Sequence, residues 1–166
     1  MIIQNIPISL DGWDPARLQA VQAGAGPNTA EKRAKAEARV SAATAEFLYK
    51  TGARNPAALN PDAWTSDAAS ISKPDNRRIM TDLQLDIVNN LALYADWQTY
   101  LRRYQPKTLV VWGRNDPIFA PAGALAVKKA LPEAELYFYD TGHFALEEDA
   151  DGIAQRIIAT FGAPKK

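Results

Sequence analysis

The feature that most constrains this sequence is the alternation of strand and helix patterns in its last third. Residues 108–112 form a continuous apolar run that ends at Gly113, as expected of a buried parallel strand. Residues 122–130 have a helical pattern, and residues 135–139 alternate as a second strand. Asp151 is placed to cap a last amphipathic helix. Strand, helix, strand, helix at this spacing predicts an α/β fold with parallel strands and right-handed crossovers.

The first part of the chain predicts one more strand followed by helices. Residues 1–10, with isoleucines at alternating positions, favour a strand and its exit turn. Asn28 is predicted to cap a long alanine-rich helix, with Glu31 three positions later completing a capping box. That helix is predicted to run to Lys50, and Gly52 is placed to end it.

The middle of the chain is predicted to be loop and then helix. Residues 53–74 contain three prolines and are expected to form a loop or short turns. Apolar residues recur at helical spacing through residues 77–104, which predicts two helices broken near Tyr94. We therefore divide the chain into a leading strand (1–10), a helical region (11–106) and a C-terminal α/β part (107–166).

Composition excludes several classes of function. The 166 residues, 47% of them hydrophobic, suffice for one domain with a core. Nineteen basic residues balance nineteen acidic ones, so we expect neither a nucleic-acid nor a membrane partner. With no cysteine, one histidine and no glycine-rich strand-to-helix loop, we expect no metal and no cofactor. The first residues resemble neither a signal peptide nor a spanning helix, which predicts a cytoplasmic location.

Two polar residues follow the predicted strands of the C-terminal part. Asp116 lies just past the first strand and His143 just past the second. Because functional groups of parallel sheets gather beyond the carboxyl ends of the strands, both side chains are expected at one edge. The carboxylate would accept the Nδ1 proton of His143 and leave the other ring nitrogen free to act as a base. Each residue alone is more often structural: an Asp there is often a turn former, and a lone histidine is rarely catalytic.

The motifs around these two residues resemble those of a known family. The segments LVVWGRNDP (109–117) and YDTGHFALE (139–147) are similar to the last two strands of α/β-hydrolases, particularly epoxide hydrolases and haloalkane dehalogenases. The segments PDAW (61–64) and NLALY (90–94) resemble the helical cap that such enzymes insert, and MIIQNI (1–6) resembles the strand before that cap. The resemblance implies the C-terminal part of an α/β-hydrolase fold, with few parallel strands flanked by helices and an inserted helical cap.

The resemblance also implies roles for particular residues. In the family the chain order is nucleophile, acid, histidine, so Asp116 matches the acid and His143 the base. Among the cap aromatics, Tyr94, Trp64 and Trp97 are candidates to bind substrate, although aromatics at helical spacing usually pack a core. The family's nucleophile motif, G-x-S-x-G or its aspartate form, is absent from this sequence. A serine and an aspartate nucleophile therefore both remain open, as do ester, epoxide and haloalkane substrates.

Several alternatives follow from the missing nucleophile. We expect the chain alone to be inactive, and to use a small-molecule substrate only when an N-terminal half complements it. An unpaired sheet edge is also expected, through which the chain could associate with a copy of itself. One rival interpretation is a non-catalytic interaction module derived from a hydrolase. Another is a small independent enzyme that uses His143 with Asp140 or Asp116.

Overall fold

The structure, a computed structural model, describes residues 1–162 as three strands and seven α-helices. The elements in chain order are β1 (Ile2–Gln4), α1 (Pro15–Gln22), α2 (Ala30–Glu37), α3 (Ala42–Lys50), α4 (Asp62–Ile71), α5 (Pro74–Tyr104), β2 (Leu109–Gly113), α6 (Pro121–Ala130), β3 (Glu135–Tyr139) and α7 (Leu146–Phe161). A short 3-10 turn, Leu10–Gly12, follows β1.

The sheet is parallel throughout, with the order β1-β2-β3. Ile2 pairs with Leu109 at one end of the sheet, and Gly113 pairs with Tyr139 at the other. The predicted α/β class and the two C-terminal strands are confirmed. Since all three strands run in the same direction, their carboxyl ends lie together at one end of the sheet.

The central strand β2 is fully buried because helices cover both of its faces. Val110 and Trp112 point to one face, where Val127 of α6 packs against them. Leu109 and Val111 point to the other face and pack with Ile153 of α7. The alternation of side chains along one strand therefore builds two cores, one on each side of the sheet.

The predicted long helix ending at Lys50 is wrong in its start and its continuity. Thr29, rather than Asn28, caps α2: its hydroxyl accepts the backbone N–H of Lys32 at 3.2 Å. A second cap at Ser41, with extended backbone, ends the helical run and begins α3. Hydroxyl side chains satisfy the free N–H groups of a helix start, so one in the middle of a run can divide it. Gly52 does follow α3, with a φ of +83°.

Residues 53–74 are not only loop, and residues 77–104 are not broken. Pro61 caps α4 and Pro74 is the first residue of α5, so these two prolines mark helix starts, where the missing N–H costs nothing. Helix α5 is continuous over 31 residues. No proline or glycine interrupts it after Pro74, and Tyr94, where a break was predicted, is buried.

The last helix begins earlier than predicted. It starts at Leu146, and Asp149 (φ −126°, ψ 27°) interrupts its first turns. Asp151 therefore lies inside α7 and is not its cap. The last four residues of the C-terminal part, 163–166, lie outside the described residues.

Five helices, α1 to α5, are inserted between β1 and β2. Helix α3 packs against α4, and α2 against α5. Among the described residues, strand β1 pairs with β2 alone, so its other edge is free. Ile2 in β1 and Ile6 just after it are 46% and 55% exposed. Within residues 1–162, none of the helices has the length and apolar character needed to cross a membrane.

Candidate active site

Asp116 and His143 meet beyond the carboxyl ends of β2 and β3. The His143 Nδ1 atom lies 2.9 Å from Asp116 Oδ2, a hydrogen-bond distance. The aspartate side chain is completely buried, whereas the histidine side chain is 20% exposed. Two residues 27 positions apart are thus placed in contact by the pairing of adjacent parallel strands.

The Asp116 carboxylate is held by N–H groups on every side. Its Oδ1 atom accepts the backbone N–H of Ile118 at 2.7 Å and of Phe119 at 3.1 Å. Its Oδ2 atom accepts the side-chain amide of Asn5 at 2.7 Å in addition to His143. Since an ionised carboxylate has about four acceptor positions, this one is fully satisfied.

Those contacts determine what His143 can do. Because an ionised carboxylate can only accept, this contact favours the tautomer of neutral His143 that carries its proton on Nδ1 and its lone pair on Nε2. Within residues 1–162, Nε2 has no hydrogen-bond partner. The arrangement can therefore take a proton at Nε2 and stabilise the resulting imidazolium through Asp116.

Three loops pack tightly around this pair. A Cβ atom added at Gly113 would overlap the carbonyl oxygen of Gly142, beside His143. One added at Gly52 would overlap the carbonyl oxygen of Asn115, and the φ of +83° there also favours glycine. Asn115 fixes the contact further, since its side-chain amide donates to Gly52 O at 3.1 Å and to Asp140 Oδ1 at 2.9 Å.

A carboxylate that the sequence interpretation missed connects the inserted helices to the histidine loop. Glu148 accepts the backbone N–H of Arg54 at 2.9 Å and of Asn55 at 2.8 Å, and the Thr141 hydroxyl at 2.6 Å. Burial alone would raise the pKa of the Glu148 carboxyl. The hydrogen bonds from Thr141, Asn55 and Arg54, with the Arg54 charge, outweigh burial and lower that pKa below its usual value.

Tyr94 and Trp97, both predicted to bind substrate, are connected to His143 through Trp13 and Phe119. The Tyr94 hydroxyl accepts the indole N–H of Trp13 at 2.9 Å, and the Tyr94 and Trp97 rings are 5.4 Å apart. Trp13 packs edge-on against Phe119, whose ring centre is 5.7 Å from that of His143. Burial raises the pKa of Tyr94, while the hydrogen bond from Trp13 acts in the opposite direction.

Trp64 lies at the end of a second aromatic row. Phe144 packs 4.9 Å from His143, Tyr49 stacks on Phe144 at 4.3 Å, and Trp64 is 6.2 Å from Tyr49. Burial raises the pKa of Tyr49 to about 12, helped by its hydrogen bond to Asp67. Tyr49 and Phe144 also line a cleft of about 430 Å³ between α3, α4 and α5.

Sequence reasoning found Asp116 and His143 but missed Asn5, Trp13 and Phe119. A signal for Asn5 was available, because it directly follows the last residue of β1 and the strand-end rule applies to that strand too. Trp13 and Phe119 gave no comparable signal, since each is a single aromatic in an irregular segment. Within the described part of the chain, no group of three or more Asp, Glu or His side chains could hold a metal ion.

A parallel sheet flanked by helices, a helical insertion before its last two strands, and an Asp–His pair at their ends are features of the α/β-hydrolases. A family model described as "alpha/beta hydrolase fold" matches residues 7–150. The chain belongs to this family, as its sequence predicted.

Proteins similar to this chain are hydrolases, and the chain spans only part of each. An uncharacterized hydrolase of Saccharomyces cerevisiae is 40% identical over 113 residues, which cover 68% of this chain and 39% of the relative. A 2-hydroxy-6-oxononadienedioate/2-hydroxy-6-oxononatrienedioate hydrolase of Escherichia coli is 32% identical over 76 residues, covering 45% of this chain and 26% of the relative.

Solved structures show the same fold. A meta-cleavage product hydrolase from Pseudomonas fluorescens superposes with a TM-score of 0.67 at 12% identity, covering 97% of this chain and 54% of that one. A 2-hydroxy-6-oxo-6-phenylhexa-2,4-dienoate hydrolase from Rhodococcus gives 0.65 at 20% identity, with 98% and 54% covered. At these identities the likeness establishes the fold alone. The chain therefore spans about half the length of these structures and less of its sequence relatives.

Proposed function

We propose that Asp116 and His143 are the acid and the base of a hydrolase triad whose nucleophile comes from chain outside this sequence. The observation that supports this most directly is the 2.9 Å contact between His143 Nδ1 and the buried Asp116 carboxylate. This contact favours the tautomer that a general base needs, with Nε2 free to receive a proton. By itself the chain has no hydrolytic activity, because no nucleophile elbow is present to provide the attacking atom.

Two mechanisms fit the same pair. With a serine nucleophile, His143 takes the hydroxyl proton and Asp116 stabilises the imidazolium. With an aspartate nucleophile, the carboxylate attacks a substrate carbon and forms an ester as the carbon–halogen bond of a haloalkane or a ring C–O bond of an epoxide breaks. His143 then takes a proton from the water that hydrolyses this ester. Small esters suit the first mechanism, and epoxides and haloalkanes the second. Because two similar proteins are named as hydrolases of 2-hydroxy-6-oxo dienoic compounds, a compound of that class is also a candidate substrate.

The inserted helices are proposed to form a cap whose aromatic side chains bind the substrate. One row of aromatic contacts runs from Phe119, next to His143, through Trp13 to Tyr94 and Trp97. The other runs from Phe144, also next to His143, through Tyr49 to Trp64. The Tyr94 hydroxyl already accepts a hydrogen bond from Trp13, so its O–H proton remains available for a substrate oxygen.

The free edge of β1 is proposed as the place where the rest of the enzyme attaches. Within residues 1–162 its backbone pairs with β2 on one side only, and Ile2 and Ile6, in and just after β1, expose apolar surface. An open edge of this kind is a template for another strand. The occupant is an N-terminal half carrying the nucleophile, and a second copy of the chain is the competing occupant.

The first experiment is to translate the DNA upstream of Met1 in the same frame. The proposal predicts further strands and a G-x-S-x-G or G-x-D-x-G elbow, either in that frame or in a neighbouring one. The enzyme assembled from both parts is then assayed on an ester, an epoxide, a haloalkane and a 2-hydroxy-6-oxo dienoate. Replacing His143 with Ala should lower kcat by at least about a thousandfold. An assembled enzyme that keeps its rate without His143 would refute the assignment.

An interaction module without catalytic function is the second candidate. The exposed apolar residues Ile79, Leu83 and Leu93 on α5 favour it, because they offer surface for a partner. It predicts that no upstream or neighbouring frame encodes an elbow, and that replacing His143 with Ala leaves every partner interaction unchanged.

A further inference from the structure

Asn5 occupies an unusual position directly after β1. It is 3% exposed, and its φ of +42° is in the left-handed region. Among residues with a side chain, asparagine tolerates this conformation comparatively well. The backbone turns there so that the side chain points across the sheet edge towards Gly113 and Asp116, the next strand's end.

The Asn5 amide joins two groups that the candidate site depends on. Its Oδ1 atom accepts the backbone N–H of Gly113 at 2.9 Å, and its Nδ2 atom donates to Asp116 Oδ2 at 2.7 Å. The orientation of the amide follows from these partners. Rotating it by 180° would place Oδ1 against a carboxylate oxygen and the NH₂ group against an N–H donor, and both contacts would be repulsive.

The bond from Asn5 acts on the same carboxylate oxygen that faces His143. Oδ1 of Asp116 is held by two backbone N–H groups of its own loop, whereas among residues 1–162 Oδ2 is held only by Asn5 and His143. Without the amide, the ring of His143 would be the single partner of Oδ2. The carboxylate would then be free to tilt about its Cβ–Cγ bond until solvent or another donor satisfied Oδ2.

We propose that Asn5 is a positioning residue that holds Asp116 Oδ2 in line with His143 Nδ1 and thereby maintains the Nδ1–H tautomer of the histidine. Asn5 acts through Asp116 and does not touch the reacting atoms. The inference rests on the proposed roles of Asp116 and His143, but its test requires no turnover.

The test uses the fact that His143 is the single histidine of the chain. The chain is labelled with ¹⁵N-histidine, any purification tag is removed, and the ring nitrogens are recorded by long-range ¹H–¹⁵N correlation in alkaline solution, where the ring is neutral. We expect the Nδ1–H tautomer to predominate in the unaltered chain. Replacing Asn5 with Gly preserves the left-handed backbone and removes the amide. It is expected to change the tautomer ratio towards Nε2–H by at least about tenfold, the effect of one hydrogen bond to a charged group.

Gln105 provides the matched control. In the described part of the chain it is the other non-glycine residue with a φ of +42°, and its side-chain amide donates to the carbonyls of Leu101, Arg102 and Ala130. Gln105→Gly therefore removes a comparable amide at a comparable backbone position, far from His143 in the chain. It should alter stability while leaving the tautomer ratio unchanged. If both variants change the ratio equally, the effect of Asn5 is only structural and the inference is wrong.

The remaining outcomes separate this inference from the proposed function. If the unaltered chain has the Nε2–H tautomer, the acid–base assignment itself fails. If Asp116→Asn reverses the tautomer but Asn5→Gly does not, the assignment stands and the role of Asn5 is refuted. If Asn5→Gly does not fold, the role of Asn5 is tested instead by the rate at which its side-chain amide protons exchange with solvent in the unaltered chain. Exchange that is slow in the unaltered chain and becomes fast in Asp116→Asn supports the positioning role of Asn5. Exchange that is already rapid in the unaltered chain overturns it.

Discussion

Glu148 gives the most direct test of how the loop after α3 is attached to the histidine loop. Its carboxylate accepts three hydrogen bonds, two from the backbone of Arg54 and Asn55 and one from Thr141. Hydrogen bonds to a charged group contribute about 1.5–3 kcal/mol each, but this side chain is only half-buried and the three are not independent. We therefore expect Glu148→Ala to lower the free energy of unfolding by about 2–3 kcal/mol, and Glu148→Gln by about 1 kcal/mol.

The pH dependence of the Glu148→Gln effect follows from the direction of the pKa shift. The folded-state pKa of Glu148 lies below its ordinary value of 4.5. The contribution of the charge is therefore complete above that ordinary value and is lost as the pH falls through the folded-state pKa. The stability difference between the unaltered chain and Glu148→Gln should be constant near neutral pH and should shrink in acid below about pH 4.5.

Urea unfolding followed by tryptophan fluorescence measures both effects. Glu147, the exposed neighbour, makes no hydrogen bond through its side chain in the described part of the chain, so Glu147→Gln is the matched control. It should change stability by less than about 0.5 kcal/mol. Amide exchange should accelerate at Arg54 and Asn55 in Glu148→Ala. Equal losses in the two glutamate variants, or a Glu148→Gln difference that persists unchanged in acid, would refute this account.

Three further predictions concern single side chains. Tyr94→Phe leaves the buried indole N–H of Trp13 without an acceptor. It should lower the free energy of unfolding, measured in urea, by about 1–3 kcal/mol, and a loss below about 0.5 kcal/mol would contradict the hydrogen bond. Ultraviolet absorbance titration should show a tyrosine ionisation near pH 12 that is lost in Tyr49→Phe. If Tyr49→Phe keeps this ionisation step, it does not belong to Tyr49 and the prediction is wrong. Ile153→Ala should lower the free energy of unfolding by about 2–5 kcal/mol, because Ile153 is 1% exposed. Ile158→Ala, the control at a residue 68% exposed, should lower it far less, and similar losses in both variants would disprove the packing of α7.

The C-terminal strands could be predicted because their signal is local. Val110 and Trp112 belong to one core and Leu109 and Val111 to the other, so the strand is apolar at successive positions, as a strand buried on both faces must be. The helix boundaries were less predictable. Whether a hydroxyl residue such as Ser41 caps a helix or lies within it depends on the packing of the next helix, which periodicity does not record.

The candidate site was predictable to the extent that it depends on strand ends. Asp116 and His143 follow neighbouring strands, and their contact needs only the parallel pairing of β2 and β3. Glu148 was not predictable in this way. Its partners Arg54 and Asn55 are more than 90 residues away, and they donate through backbone N–H groups. Every residue except proline has such a group, so the residue types at positions 54 and 55 do not indicate the contact.

The contacts of Asp116 are expected to form in a definite order during folding. Its contact with His143 closes a loop of 27 residues, whereas its contact with Asn5 closes one of 111. Loop-closure entropy makes the longer loop about 1 kcal/mol more costly, and long-range pairing slows folding. We therefore expect β2 and β3 to pair first, with the acid facing the histidine but only partly restrained. The carboxylate reaches its final orientation when β1 docks as the last of these three strands, so that the Asp116–Asn5 contact reports that β1 has joined the sheet.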